Sequence, residues 1–281
     1  MGLFEKVSTG TGNLASKMQP AFAEYARNLS RRSALVARSL HGRIEAITVA
    51  WAAVFIFVSL PKMMFPATFP RDLGDVLSVT VPYLLIAFAP IAGYRLAAAS
   101  FPNGIRTAQP DIRLSIYGRW RRLSILDAKA NPAFGPAGFM ASLLIGLLLN
   151  IPVRSFEFLV AIPAISGNAP HWGQSLFLLL AADVVVMSFF YMVCFVLALR
   201  TVPYFPRMLL FAWALDIAAQ MIIAQQIGAM PGLPEQVAVP LKQLLEGNIT
   251  KVLISAFVWL PYLILSERVN VTYRQRASAA A

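Results

Sequence analysis

The 281-residue chain is 58% hydrophobic and only 13% charged, with a formal net charge of +11 at pH 7. Soluble domains carry about 25% charged residues, so this composition excludes an ordinary soluble domain. The basic residues sit at the ends of apolar runs, which is typical of membrane proteins rather than nucleic-acid-binding proteins. One cysteine and two histidines exclude a disulfide framework and a metal site built on Cys or His ligands.

The chain begins with a basic, weakly amphipathic segment, residues 1–43, which we expect to be cytoplasmic. Crossing a hydrocarbon core of about 30 Å takes about 20 apolar residues in a helix. The segments that meet this requirement predict six transmembrane helices, at 44–64, 76–98, 134–152, 174–199, 207–229 and 249–266. The predicted fold is therefore an all-α polytopic membrane domain over 44–266, followed by a basic cytoplasmic tail, 267–281.

A basic connection, residues 99–132, separates the second span from the third. Within its segment 111–129, apolar residues recur at helical spacing and the arginines lie mostly on the other face, which predicts a cationic interfacial helix. The predicted surface for lipid headgroups or a partner protein is Arg113, Arg119, Trp120, Arg121 and Arg122. The alternatives are topogenic charge with surface anchoring, or a cytoplasmic docking site for other membrane proteins. No nucleic acid is expected, because no base-reading module accompanies the arginines.

The third span is followed by "IPVRSFEFLVAIPAIS", residues 151–166. Its apolar part is short and is interrupted by prolines and by Arg154 and Glu157, which predicts a short non-spanning hairpin. Within it, Arg154 and Glu157 have the i, i+3 spacing of an ion pair. The alternative is a seventh crossing, which would break the alternation of charge between connections.

Basic residues alternate between rich and poor connections along the chain. With six spans, 19 of the 24 Lys and Arg residues fall on the side that holds both termini. The positive-inside rule assigns that side to the cytoplasm. The sequence therefore predicts a protein of the bacterial cytoplasmic (inner) membrane with both termini cytoplasmic.

Two carboxylates lie inside predicted spans. Counting from Arg207 and Arg200 at ~1.5 Å per residue places Asp216 about 13 Å and Asp183 about 25 Å from the cytoplasmic edge, hence about 12 Å apart. That separation predicts no carboxylate dyad. Insertion of a carboxylate at the helix centre costs about 3 kcal/mol, so each must find a partner inside the bundle or be protonated.

The candidate polar site combines Asp216, Asp183, Gln220 and Tyr262. The level of Asp183 falls near position 224 of the fifth span, which puts Gln220 and Gln225 in range. The Tyr262 hydroxyl is a plausible neighbour of Asp216. Two interpretations stay open for these groups, namely a structural polar contact between helices and a proton- or cation-coupling site.

Catalytic signatures are absent from the sequence. It contains no phosphate-binding glycine loop, no zinc-protease helix motif and no nucleophile elbow. We therefore expect no catalytic residues, no cofactor and no metal.

The C-terminal quarter resembles an uncharacterised family of bacterial multi-pass inner-membrane proteins. The resemblance rests on a Trp-x-Pro-Tyr element followed by Ser-x-Arg-Val and an aromatic residue, here Trp259, Pro261, Tyr262, Ser266, Arg268, Val269 and Tyr273. It implies a helical fold and a bacterial cytoplasmic membrane location, and no activity.

Together, these features favour a non-enzymatic accessory or scaffold component that assembles with lipids and other membrane proteins. The alternative is a small-solute or proton-linked transporter that uses Asp216. A polar cavity reaching Asp216 favours the transporter, whereas dry, close packing around it disfavours one.

Overall fold

The computed structural model describes residue 35, residues 39–102, residue 109 and residues 118–279. Within these residues, six helices are long and apolar enough to cross a membrane: Ser39–Met64 (α1), Leu73–Ser100 (α2), Phe139–Ala161 (α4), His171–Leu199 (α5), Phe205–Gly228 (α6) and Glu235–Leu265 (α7). The remaining elements are short: β1 Trp120–Arg122, α3 Ile125–Ala130, α8 Glu267–Arg274 and β2 Arg276–Ser278. The chain is thus an all-helical multi-pass membrane protein in its main architecture.

Helix α5 is the centre of the bundle. It packs against α2, α4 and α6, and α6 in turn packs against α7. Apolar residues lie on all of its sides, as expected of a helix surrounded by other helices, and Asp183 and Ser188 are its buried polar exceptions. The approach of α2 to α5 is close at Gly93, where an added Cβ would lie 2.6 Å from the carbonyl oxygen of Phe189.

Consecutive spans alternate in direction, so the bundle has two distinct ends. At one end the connection after α1 meets the connection after α4, with the Ala67 N–H donating to the Ala164 carbonyl at 2.8 Å. At the other, the α8 end, β1 pairs antiparallel with β2. There the Tyr273 hydroxyl donates to the Ala198 carbonyl at 2.8 Å, which holds α8 against the C-terminal end of α5.

The α8 end carries buried cationic side chains. Arg274 donates to the Leu263 carbonyl at 2.7 Å and to Asn270 at 3.1 Å, and Arg276 donates to the same Asn270 oxygen at 2.8 Å. Burial, reinforced by the charges of Arg276 and Arg207, lowers the pKa of Arg274 to about 10. The segment predicted as a tail is therefore folded against the bundle as far as residue 279.

The predicted hairpin at 151–166 is wrong. Helix α4 continues through Pro152 and ends at Ala161, and the connection to α5 begins only at residue 162. The two charged residues that made a span improbable are paired with residues of other helices. Arg154 pairs with aspartates of α5 and α6, and Glu157 pairs with Lys251 of α7. Arg154 and Glu157 therefore each bind a residue of another helix in place of the predicted ion pair with one another.

The predicted interfacial helix at 111–129 is also wrong over its described part. Residues 120–122 form β1, and a separate helix, α3, begins at Ile125. Gly118 adopts a φ of +91°, a left-handed conformation that ends any helix there. Pairing of β1 with β2, with the Arg276 guanidinium over the Trp120 ring at 5.1 Å, favours the extended backbone. Residues 111–117 lie outside the described residues, as do 1–34 of the N-terminal segment.

The last span is longer than the sequence predicts. Helix α7 begins at Glu235 rather than near 249, and Pro240 and Pro261 both lie within it. The polar residues at 242–251 lower the hydropathy of this part of the helix, so the sequence predicts a later start. Several of these residues pair with neighbours, such as Lys242 with Glu246.

Candidate functional site

One arginine binds two aspartates in the interior of the bundle. Arg154 of α4 forms a bidentate ion pair with Asp216 of α6, with Nη1 2.8 Å from Oδ2 and Nη2 2.8 Å from Oδ1. The same Nη2 donates to Oδ2 of Asp183 on α5, also at 2.8 Å. The Asp216 side chain is fully buried, and those of Asp183 and Arg154 are 6% and 11% exposed. We call these three side chains the Arg154 cluster.

Polar neighbours add further hydrogen bonds to the two aspartates of the Arg154 cluster. The Tyr191 hydroxyl donates to Oδ2 of Asp216 at 2.7 Å, and Nε2 of Gln220 donates to Oδ1 of Asp183 at 3.0 Å. Nδ2 of Asn248 donates to the Gln220 amide oxygen at 3.4 Å. Helices α4, α5, α6 and α7 thus all contribute to one buried network, which is how membrane helices satisfy polar groups away from water.

The predicted 12 Å separation of Asp183 and Asp216 is wrong. Because one nitrogen of Arg154 lies 2.8 Å from an oxygen of each, those two oxygens are at most twice that distance apart. The depth count assumed upright helices with edges at Arg200 and Arg207. Helix α6 in fact begins before Arg207, at Phe205, and the two carboxylates are close enough to contact the same guanidinium nitrogen.

Tyr262 does not contact Asp216, so that predicted neighbour is also wrong. Its ring packs against Phe139 and Trp259, with centroid distances of 5.0 and 5.9 Å. The hydroxyl that reaches Asp216 belongs to Tyr191 instead. The structure thus brings together three of the four predicted residues, Asp216, Asp183 and Gln220, and leaves Tyr262 nearer the α8 end.

A cavity of about 150 Å³ reaches the Arg154 cluster from between α4 and α7. Asp216, Arg154 and Tyr191 line its buried part, while Asn150 and Asn248 add amide groups to its walls. A smaller cavity of about 30 Å³, large enough for one water, lies on the Asp183 side of Arg154. The Nε of Arg154 is buried and has no hydrogen-bond partner among the described residues.

An ion pair lies at the mouth of the larger cavity. Nζ of Lys251 is 2.6 Å from Oε1 of Glu157, and both side chains are substantially exposed, at 58% and 37%. At ~1.5 Å per residue, Glu157 lies about 6 Å from the Ala161 end of α4 and Arg154 about 10 Å from it. The cavity therefore opens near the end of the bundle opposite α8.

Three aromatic rings lie at the end of the cavity nearer α8, where Trp259 lines it. Phe139 packs on Trp259 with a centroid distance of 4.6 Å, and both contact the Tyr262 ring. We call Phe139, Trp259 and Tyr262 the aromatic plug. Glu157 and the aromatic plug thus lie at opposite ends of the cavity.

The cavity and the Arg154 cluster carry unequal numbers of positive and negative side chains. The cations are Arg154 and Lys251, and the carboxylates are Glu157, Asp183 and Asp216. Glu157 and Lys251 cancel one another at the mouth, so the Arg154 cluster holds one formal negative charge in excess. An unbalanced buried charge is costly in a low-dielectric interior, and a proton or another cation restores the balance.

The residues predicted to bind headgroups lie elsewhere. Arg119, Arg121 and Arg122 are exposed beside and on β1, while Trp120 is half-buried under the Arg276 guanidinium. Arg113 lies outside the described residues. These side chains are not part of the Arg154 cluster.

Sequence reasoning missed Arg154, Tyr191 and Lys251. Arg154 was assigned to a hairpin, yet a single arginine among apolar residues, in a chain with two intramembrane aspartates, was a signal for pairing. Tyr191 has no distinguishing signal, because aromatic residues are common in membrane helices.

No protein-family model, no curated protein and no solved structure matches this chain. The resemblance of the C-terminal quarter to a bacterial membrane family therefore stays a prediction.

Proposed function

We propose that this protein is a proton-linked transporter of a small solute, with Asp216 and Asp183 as the proton-binding groups. The observation that carries the proposal is the polar cavity ending on a buried cluster of one arginine and two aspartates. A cavity that reaches Asp216 favours transport over the accessory role that composition alone favours. The proposed role is non-enzymatic.

The cavity suits alternating access. The Glu157–Lys251 pair lies at one end of it and the aromatic plug at the other, so movement of either group can change access at its own end. Protonation of one aspartate removes the excess charge from the Arg154 cluster and weakens its hold on Arg154. A change of partner in such a polar network can bias a movement of α4 and α7 relative to α5 and α6.

We further propose that the α8 end faces the cytoplasm of a bacterial inner membrane. The positive-inside rule supports this, because 19 of the 24 basic residues belong to connections on that side. Of the other five, four lie within the spanning helices and have a polar partner, namely Lys62, Arg154, Lys242 and Lys251. The solute cavity then opens to the outside.

The proposal is tested by pH-jump recordings on proteoliposomes adsorbed to a solid-supported membrane, which measure charge displaced when protons bind. We expect a transient current from the native protein and about a tenfold smaller one from Asp216→Asn. That variant keeps one carboxylate, Asp183, for Arg154 and is therefore expected to fold. Asp127→Asn, outside the spans, is the matched control. Equal currents from Asp216→Asn and the native protein would refute the proposal.

An accessory or scaffold role that involves lipids and other membrane proteins is the second proposal. It is favoured by the exposed arginines at β1 and by the large apolar residues that α7 exposes, such as Phe257 at 83%. Anionic headgroups are the proposed partners of the arginines. Co-purification after mild solubilisation tests it: a reproducible stoichiometric partner supports an accessory role, and a clean monomer contradicts it.

A further inference from the structure

We propose that the cavity binds a small organic cation, an amine or quaternary ammonium, in competition with the proton. This inference rests on the proposed transport function and names its substrate class. It follows from the charge, the size and the aromatic lining of the cavity, each of which restricts the ligand independently.

Charge selects a cation. Each positive side chain at the cavity already has its own carboxylate: Lys251 has Glu157, and Arg154 has Asp216 in a two-pronged pair. Asp183 is the remaining carboxylate. It does not line this cavity but lies behind Arg154, beside the smaller one, and shares Nη2 of Arg154 with Asp216. Its charge therefore acts on a ligand in the cavity through the low-dielectric interior. A neutral solute would leave this excess charge in place, and an anion would double the imbalance. A ligand with one positive charge removes it.

The aromatic lining favours an organic cation. Tyr191, Trp213 and Trp259 all line the cavity, and Trp213 precedes Asp216 by one helical turn on α6. Aromatic faces attract cations, and cages of such rings bind alkylammonium groups. Among the described residues no three His, Cys, Asp or Glu side chains are grouped to hold a metal ion. The volume of about 150 Å³ limits the ligand to a few heavy atoms.

Competition with the proton follows from the single excess charge. The titratable and charged groups around it are Arg154 and Glu157 on α4, Asp183 and Tyr191 on α5, Asp216 on α6 and Lys251 on α7. Once an organic cation neutralises the Arg154 cluster, a bound proton would add an unbalanced positive charge, so binding of one expels the other. The coupling is therefore an exchange of about one proton per cation.

The test is isothermal titration calorimetry of the full chain in lipid nanodiscs with tetramethylammonium chloride. tert-Butanol, which has nearly the same shape and no charge, is the matched ligand control. Repeating the titration in buffers of different ionisation enthalpy counts the protons released. We expect saturable binding of tetramethylammonium, release of about one proton per cation at a pH where the site is protonated, and no binding of tert-butanol.

Variants locate the binding site. Asp216→Asn is expected to weaken tetramethylammonium binding about tenfold or more, and Asp183→Asn, which keeps the Arg154–Asp216 pair, to do the same. Trp213→Leu should weaken it several-fold, whereas Trp172→Leu, which lies outside the cavity, should not.

Absence of tetramethylammonium binding, or equal binding of tert-butanol, overturns the inference. If pH-jump currents persist in that case, the substrate class is wrong and proton-linked transport stands. If the currents are absent as well, both proposals fail.

Discussion

Arg154 and Asp216 lie on different helices, 62 positions apart in the sequence, yet they meet through two parallel hydrogen bonds of 2.8 Å. This geometry is the strongest form of arginine–carboxylate pairing. Because it is buried, removing one partner leaves the other charged and unsatisfied. We therefore expect loss of Arg154 to impair folding. Loss of one aspartate should leave Arg154 paired with the other and affect proton binding more than stability.

Arg154→Gln should strongly destabilise the protein, because it leaves Asp183 and Asp216 facing each other without a cation. Breaking a buried pair in this way costs about 3–5 kcal/mol. Arg95→Gln is the control, since it breaks an exposed pair with Glu45 that should contribute less than about 1 kcal/mol. Thermal unfolding in detergent measures both. Similar losses for the two variants would contradict the assigned role of Arg154.

Two buried tyrosines provide a matched pair of hydroxyl deletions. Tyr191→Phe removes the donor to Asp216 and should cost about 1–3 kcal/mol, because a buried carboxylate loses a partner. Tyr83→Phe should be neutral or stabilising, since the part of the chain that the structure describes offers the buried Tyr83 hydroxyl no hydrogen-bond partner. The midpoints of thermal unfolding, compared side by side, check this order. A larger loss for Tyr83→Phe would show that the Asp216 contact is not important for stability.

Gly93→Ala tests the close crossing of α2 and α5. The added Cβ would lie 2.6 Å from a backbone carbonyl oxygen, so the helices must separate, at a cost of about 1–3 kcal/mol. Gly247→Ala on α7 meets no atom within 4 Å and should be neutral or stabilising by up to about 1 kcal/mol, the helix preference for alanine. A stable Gly93→Ala protein would mean that this crossing is looser than described.

A reversible cross-link tests whether the aromatic plug must open. The only native cysteine, Cys194, is buried, so cysteines introduced as Phe139→Cys and Trp259→Cys can be joined by a short bifunctional thiol reagent. We expect the cross-link to abolish steady-state transport and its reduction to restore it. Cross-linking Arg121→Cys to Ala277→Cys, which face each other between β1 and β2, should have no effect. Undiminished transport through a cross-linked plug would rule out alternating access at this end.

Hydropathy was enough to predict the six spans, because runs of about 20 apolar residues have few other stable solutions. It failed where charge is compensated by tertiary pairing. Arg154 and Glu157 looked like loop residues and Lys251 like a span edge, although each is paired across helices. A count of residues from helix ends could not predict that one arginine side chain joins Asp183 to Asp216, since helix tilt and offset are set by packing. The β1–β2 pairing joins segments more than 150 residues apart and has no local signal.

The Arg154 cluster, with one carboxylate in excess, is expected to take up a proton. Infrared difference spectroscopy of the protein in lipid, recorded as the pH is lowered, detects this directly through the carbonyl stretch of a protonated carboxyl group. We predict such a band in the native protein, its loss in Asp216→Asn or Asp183→Asn, and its retention in Asp127→Asn. A band that survives in both intramembrane variants, or none in the native protein while it stays folded, would contradict the account.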